Sequence, residues 1–159
     1  MFFVKEIGYS DLDFLLAMWI ERGQWLKANY QAMWNLDELN KESILTKYCN
    51  PHCFTAYDGI NLVGGFLLLE KDEQYWPDKL EDRAYYLHKF VISLGSAGKG
   101  YSSKVIDWVK QFAKEQGKNY IRLDYELDRS PLRGMYLANG FEDVEEIKAY
   151  GNKRMIKAE

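Results

Sequence analysis

The chain is poor in the residues that define several protein classes. Three prolines in 159 residues exclude a proline-rich spacer or a collagen-like repeat. Two cysteines exclude the disulfide framework that small secreted domains depend on. They lie in Cys49-Asn50-Pro51-His52-Cys53, a spacing that brings a metal half-site to mind. The one remaining histidine is His88 and there is no second cysteine pair, so nothing closes a four-ligand zinc site; the segment reads as packing and turn residues, with no metal. No apolar run approaches the roughly 18 to 20 residues of a membrane span, and MFFVKEIG is charged too soon for a secretory apolar region, which sets the expectation of a cytoplasmic protein without a membrane partner. A net charge of -3 with scattered lysines supplies no basic field, so nucleic acid is not an expected partner.

What is present is ordinary globular material, 47% hydrophobic and 28% charged, and the length suits one domain over 1–159. Phe2 to Ile7 reads as a strand. Ser10 or Asp11 then caps a helix carrying Leu12, Leu15, Leu16, Trp19 and Ile20, with Gly23 expected to interrupt it. A second helical stretch is predicted around Trp25 to Trp34, and a third opens at Asn35 or Asp37 and ends at Asn50-Pro51. Two strands follow, joined by Asp58-Gly59, a dipeptide suited to a tight hairpin. Ala84 to Ser93 is the next strand and Tyr101 to Gln116 a helix, with Gly117 as its C-cap. Tyr120 to Leu127 alternates as a strand, Ser130-Pro131 starts a short helix, and strands near Phe141 to Tyr150 and Lys153 to Lys157 complete the chain.

The segment Phe90 to Asp107, FVISLGSAGKGYSSKVID, is the most telling one. An apolar strand enters a glycine turn that leads straight into a helix. Glycine allows positive φ and lets a ligand approach the backbone, while the helix start adds unpaired N–H groups and the positive end of its dipole. That combination cradles a phosphate or diphosphate. The turn lacks the Gly-Lys-Ser/Thr ending of a P-loop and the full Gly-x-Gly-x-x-Gly spacing of a dinucleotide fold, and it falls in the second half of the chain.

With these elements in order, the chain resembles the GNAT superfamily of acetyl-CoA-dependent N-acetyltransferases over essentially its full length. The resemblance rests on two motifs. The family's Arg/Gln-x-x-Gly-x-Gly/Ala falls on Ala97-Gly98-Lys99-Gly100-Tyr101-Ser102, with alanine and serine at its ends and the glycine backbone kept; Ser102 and Ser103 could add hydroxyl donors. The family's tyrosine followed by Gly-Phe is intact as Tyr136-Leu137-Ala138-Asn139-Gly140-Phe141. The resemblance implies a mixed α/β (α+β) sheet of six to seven strands flanked by helices, whose parallel fourth and fifth strands splay apart. It also implies coenzyme A on Gly98 to Ser103, pantetheine along the backbone of Phe90, Val91 and Ile92, and Tyr136 as the acid that protonates the leaving thiolate. Where members often carry an asparagine that contacts pantetheine, seven residues before that tyrosine, this chain has Arg129.

The general base remains open between His88, which sits where arylalkylamine-acetylating members have a histidine, and Asp124 or Glu126 on the next strand. Ion pairing with Arg122 or nearby lysines is the ordinary account of those two carboxylates. The expected activity is acetyl transfer from acetyl-CoA to a primary amine, with a small-molecule acceptor. The rival is a non-catalytic acyl-CoA-binding or regulatory protein of the same fold. The acceptor would lie among the amino-terminal helices and the Tyr75-Trp76 loop, where Trp19, Trp25, Tyr30, Trp34 and Trp76 form either a pocket or an aromatic core. Pairing of the carboxy-terminal strands offers a geometry for a homodimer.

Overall fold

The computed structural model describes residues 1–149 and 153–159, so the Tyr150 end of the sixth predicted strand lies outside the described residues. Two compact units emerge, one built from Met1–Leu69 and His88–Tyr101, the other from Glu70–Leu87 and Ser102–Glu159.

The first unit is an antiparallel array with helices. β1 (Phe2–Ile7) is followed by α1 (Asp13–Ala28), α2 (Lys41–Lys47), β2 (His52–Asp58) and β3 (Asn61–Leu69). β1 pairs with β2 from Phe2↔Asp58 to Ile7↔Cys53, and β2 with β3 from His52↔Leu68 to Asp58↔Asn61, closing the hairpin on Gly59-Ile60. Gly59 has φ +61, which explains why Asp58-Gly59 is legible as a turn. Leu12, Leu15 and Trp19 are fully buried, together with Phe54 and Phe66, whose rings stack at 5.0 Å. The helix can lie this close because β3 carries Gly65: a Cβ there would stand 2.2 Å from Leu15 Cδ2 and 2.8 Å from the Phe54 carbonyl.

Gly23 does not interrupt α1, which runs on to Ala28. A Cβ at Gly23 would lie 2.8 Å from Leu36 Cδ2, so the glycine admits the 3-10 turn Leu36–Glu38 against the helix. The predicted second helix is correspondingly absent from Gln31 to Trp34, after Tyr30 turns the chain at φ +57. Asn35 caps the 3-10 turn by accepting from the Asp37 N–H at 3.1 Å, and Asn40 caps α2 by accepting from Ser43 N–H at 2.9 Å.

β4 (Ala84–Ile92) contributes its first part to the second unit and its last part to the first. The second unit continues with α3, whose range Tyr101–Glu115 begins at the boundary, then β5 (Tyr120–Glu126), α4 (Ser130–Ala138), β6 (Asp143–Ala149) and β7 (Lys153–Ala158). The strands follow the order β1-β2-β3-β4-β5-β7-β6 in a mixed sheet of seven. β4 and β5 are parallel, as expected, but the ladder covers only Ala84↔Tyr120, Tyr85↔Ile121 and Tyr86↔Arg122. From Leu123 onward β5 pairs with β7 instead.

Arg122 alternates with the apolar residues of β5, the pattern of a polar face, yet it is buried. Its Nη2 donates to Asp82 Oδ2 and its Nε to Glu159 Oε2, both at 2.8 Å, while Nη1 donates to the Tyr86 hydroxyl at 3.2 Å. Burial alone would lower its pKa, yet these partners outweigh that and raise it. Trp76 lies beneath this group with Arg122 and Lys157 against its ring, and is 1% exposed. Trp76 and Trp19 therefore belong to the core, and neither lines an acceptor pocket.

Candidate active site

The glycine turn is shaped by backbone conformation more than by crowding. Gly98 has φ +74 and Gly100 has φ +78, and a Cβ at either would meet nothing within 4 Å. Positive φ is the reason for glycine here. α3 begins at the next residue, so the N–H groups of its first turn lack intrahelical partners. The turn is tethered on both sides. Ser93 Oγ donates to Ser96 Oγ at 2.9 Å before it, and the Tyr101 hydroxyl donates to Asp58 Oδ2 at 2.6 Å after it, with the Tyr101 ring stacked on Phe2. That Asp58 bond is also the first cause of the raised Tyr101 pKa.

The strand leading into the turn has its polar groups sorted by direction. Ser93 N–H donates to the Val63 carbonyl at 2.9 Å, and a Cβ on Gly64 would lie 2.6 Å from the Val91 carbonyl. Val91 and Ser93 therefore face β3. Because successive strand residues alternate direction, Phe90 and Ile92 turn their N–H and C=O groups away from β3, beyond the last β4–β5 pair. The backbone groups of Phe90 and Ile92 are thus not spent on β3, whereas Val91 is committed to the sheet and buried. Lys89 stands at φ +52 and sends its carbonyl to Trp19 Nε1 at 2.7 Å. Arg22 Nη2 donates to the Ile92 carbonyl at 2.8 Å. These two α1 side chains act 70 residues away in sequence, and no local pattern announces them. His88, on the same strand, is half-buried with its ring 5.3 Å from that of Tyr48.

In the second unit Tyr136 is buried on α4 between Tyr125 at 5.7 Å and Phe141 at 5.6 Å. The Gly140-Phe141 part of its motif closes the helix: Gly140 takes φ +89 and Phe141 N–H returns to the Tyr136 carbonyl at 3.1 Å. Burial, then Asp124 and Tyr125, push the Tyr136 phenol well above its ordinary range, so at neutral pH it holds its proton. Asp124 is half-buried on β5. Glu126 accepts from Arg129 Nε at 2.9 Å, so its partner is Arg129 and not Arg122, and Arg129 is already ion-paired where a pantetheine contact was expected. Of the two cysteines only Cys53 is packed in the interior. Cys53 is buried with its thiol pushed up to about 11 by burial and then by Glu6, Cys49 is exposed, and His52 Nδ1 pairs with Glu6 at 3.0 Å.

Against this geometry stand the comparisons with known proteins. The acetyltransferase (GNAT) family model matches residues 19–141. The chain belongs to the GNAT acetyltransferase family. It is an acyltransferase by that membership, and the family uses acetyl-CoA. A relative described as the uncharacterized N-acetyltransferase YesJ of Bacillus subtilis (strain 168) is 24% identical over 147 residues, 89% of this chain and 82% of that protein. A GNAT-family acetyltransferase of Listeria monocytogenes superposes with a TM-score of 0.74 at 20% identity, covering 98% of this chain and 93% of the other. Spermidine N-acetyltransferase of Vibrio cholerae, solved with CoA and spermine, gives 0.70 at 15% identity over 99% and 93%. The ribosomal-protein-S18-alanine N-acetyltransferase of Escherichia coli gives 0.71 at 11% over 99% and 92%. At such identities these structures speak for the GNAT fold alone.

A cavity of about 320 Å³ in the second unit has walls that include Lys110, Lys114, Lys118, Tyr120 and Phe141. Of the two motifs only Gly140 and Phe141 reach its wall, and none of the residues expected to bind coenzyme A or to carry out the transfer lines it. Lys110 caps α4 by donating to the Asn139 carbonyl, and Lys118 pairs at 3.0 Å with Glu70, the residue after β3. No helix is long and apolar enough to cross a membrane among the described residues.

Proposed function

We propose that this protein transfers the acetyl group of acetyl-CoA directly to a primary amine of a small-molecule acceptor. The observation that carries the reading is the pair of positive-φ glycines at the mouth of α3, with no atom within 4 Å where their Cβ atoms would stand. Such a turn accepts a diphosphate against its backbone, and the residues present fit that group. Gly98, Lys99, Gly100, Tyr101, Ser102 and Ser103 would hold it, largely through N–H groups, since Ala97 brings no polar side chain. Phe90 and Ile92 would pair with the pantetheine arm, while Val91 and Arg129 serve the sheet and the α4 start.

Bound acetyl-CoA supplies an activated thioester. Tyr136, kept protonated by its burial, donates its phenolic proton to the departing sulfur and regains one from solvent after release. His88 takes the proton from the acceptor's ammonium, so that a neutral amine makes the attack. From ammonium to amide the nitrogen gives up two protons: His88 takes the first and releases it to solvent, and the second, lost as the C–S bond breaks, makes good through solvent the one Tyr136 has given to the thiolate.

The test has two parts. Heat unfolding with and without acetyl-CoA should show stabilisation at ligand concentrations far above Kd, and absence of any shift removes the cofactor reading. Tyr136→Phe should then lower kcat by about 10²- to 10⁴-fold with chemistry limiting, leaving acetyl-CoA affinity nearly unchanged. Full activity in that variant removes Tyr136 from its role. Stabilisation without thiol release for any amine would favour a pure acyl-CoA binder.

A further inference from the structure

The first unit also carries a guanidinium that the fold uses only in part. Arg22 reaches the Ile92 carbonyl through Nη2, with its guanidinium carbon 5.3 Å from the centre of the Trp25 ring. This engages one of several N–H donors. Among the described residues no acceptor takes the others, and no carboxylate lies within ion-pair distance of the group. Partial burial lowers its pKa, with Glu21 opposing, but an arginine stays charged throughout the physiological range. Half-buried cations ordinarily have an anion beside them.

The second charge on this stretch has the same sign. Lys89 stands on β4 three positions before Ile92, its Nζ 4.9 Å from the centre of the Trp34 ring. The segment Lys89 to Ile92 is thus flanked in this unit by two cations, each lying against an indole. Of the aromatic residues predicted for the acceptor region, Trp25, Tyr30 and Trp34 remain outside the core, and Trp25 and Trp34 are the two that meet these cations. A polycationic acceptor meets like charge here, and an acid group meets a planar donor fork.

We infer that the acceptor is an amine that also carries an acid group, a carboxylate or a phosphate, and that Arg22 receives that group against the Trp25 ring. The inference rests on the acetyl-transfer reading above and narrows it. It separates this chain from an enzyme for polyamines such as spermidine, the substrate in the name of one structural neighbour.

The experiment pairs acceptors that differ only in the acid: amino acids with their carboxamides, and amino sugar phosphates with the unphosphorylated sugars, with spermidine added. Thiol release from acetyl-CoA is measured for the full chain, Arg22→Gln and Arg22→Lys. Glutamine keeps an N–H donor for the Ile92 carbonyl while removing the charge, and lysine keeps the charge without the fork. For the best pair, kcat/KM should favour the acid by at least about tenfold, and Arg22→Gln should reduce that ratio to within about threefold through KM for the acceptor. Lysine should restore part of it, and KM for acetyl-CoA should stay within about threefold in both variants. Preference for spermidine or for the neutral members overturns the inference and leaves acetyl transfer standing. An Arg22→Gln effect confined to KM for acetyl-CoA also overturns it, by giving the guanidinium to a cofactor phosphate. If no member of the panel releases thiol, the transfer reading falls and takes the inference with it.

Discussion

Replacing the glycines of the Gly95 to Gly100 segment one at a time separates backbone conformation from local crowding. Neither Gly98 nor Gly100 has an atom within 4 Å of a built Cβ, and the same is true of Gly95, which differs in not having positive φ. If conformation is what matters, Gly100→Ala costs about 1–2 kcal/mol, the penalty for an L-residue in the left-handed region. For a chain of this length that lowers Tm by roughly 2 to 8 °C. Asparagine, which tolerates that region through local hydrogen bonding, should cost less than alanine, and valine should cost most. Gly95→Ala should be neutral, or stabilising by up to about 1 kcal/mol, because it only removes freedom from the unfolded chain. Coenzyme A affinity should follow the same order. A variant that relaxes out of positive φ turns its N–H away from the diphosphate, and one charge-assisted hydrogen bond of about 1.5–3 kcal/mol corresponds to roughly ten- to hundredfold weaker binding. Differential scanning calorimetry and calorimetric titration with CoA read both quantities on the same samples. The reasoning is refuted if Gly95→Ala loses as much stability as Gly100→Ala, or if Gly100→Val melts and binds like the parent.

Two further substitutions test the first unit. Cys53 has its thiol raised from 9.0 to about 11, so between those pH values the unfolded chain loses this proton while the folded one keeps it. Stability is therefore complete below pH 9 and falls as pH rises through that window, by up to about 3 kcal/mol at 1.4 kcal/mol per pKa unit; urea unfolding from pH 8 to 11 should show a shallower decline for Cys53→Ala than for the parent. Gly65→Ala should destabilise by roughly 1–3 kcal/mol, since its Cβ would press on the Phe54 carbonyl as well as on Leu15, whereas Gly23→Ala meets first the end of the Leu36 side chain and recovers helix propensity. Chemical denaturation of both should place Gly23→Ala within about 1 kcal/mol of the parent and Gly65→Ala well below it.

Local chemistry made much of the fold readable. β1 runs from Phe2 to Ile7 as its composition indicates, and Asp58-Gly59 marks the β2–β3 hairpin because the requirement for positive φ is met within the turn itself. Pro131 in the first turn of α4 and Gly117 after α3 are of the same kind. The misreadings come where a residue answers to a distant neighbour. Gly23 has the composition of a breaker, yet its reason is Leu36, thirteen positions on. Arg122 alternates with apolar neighbours on β5 as a polar-face residue does, but Asp82 and Glu159 lie 40 and 37 positions away and take it into the interior. Trp76 has the same history, covered by Arg122 and Lys157 from two different strands.

The site divides along the same line. Its motifs are short because each does something local: positive φ at Gly98 and Gly100, and a helix end at Gly140-Phe141 behind Tyr136. The groups that hold β4 in its working shape are not local at all. Trp19 draws the Lys89 carbonyl out of the ladder and Arg22 lies on the Ile92 carbonyl, and neither spacing is fixed by any helix or strand period. A chain could keep every motif residue and lose both contacts through a shift of α1. Substituting Trp19 with phenylalanine removes the donor to Lys89 together with part of a fully buried ring, so its cost joins a packing loss to that of the carbonyl, about 1–3 kcal/mol if the C=O is left buried without a partner. If β4 needs that anchor to present Phe90, the variant's KM for acetyl-CoA rises at temperatures where it remains fully folded; an unchanged KM would show that the strand keeps its bend without α1.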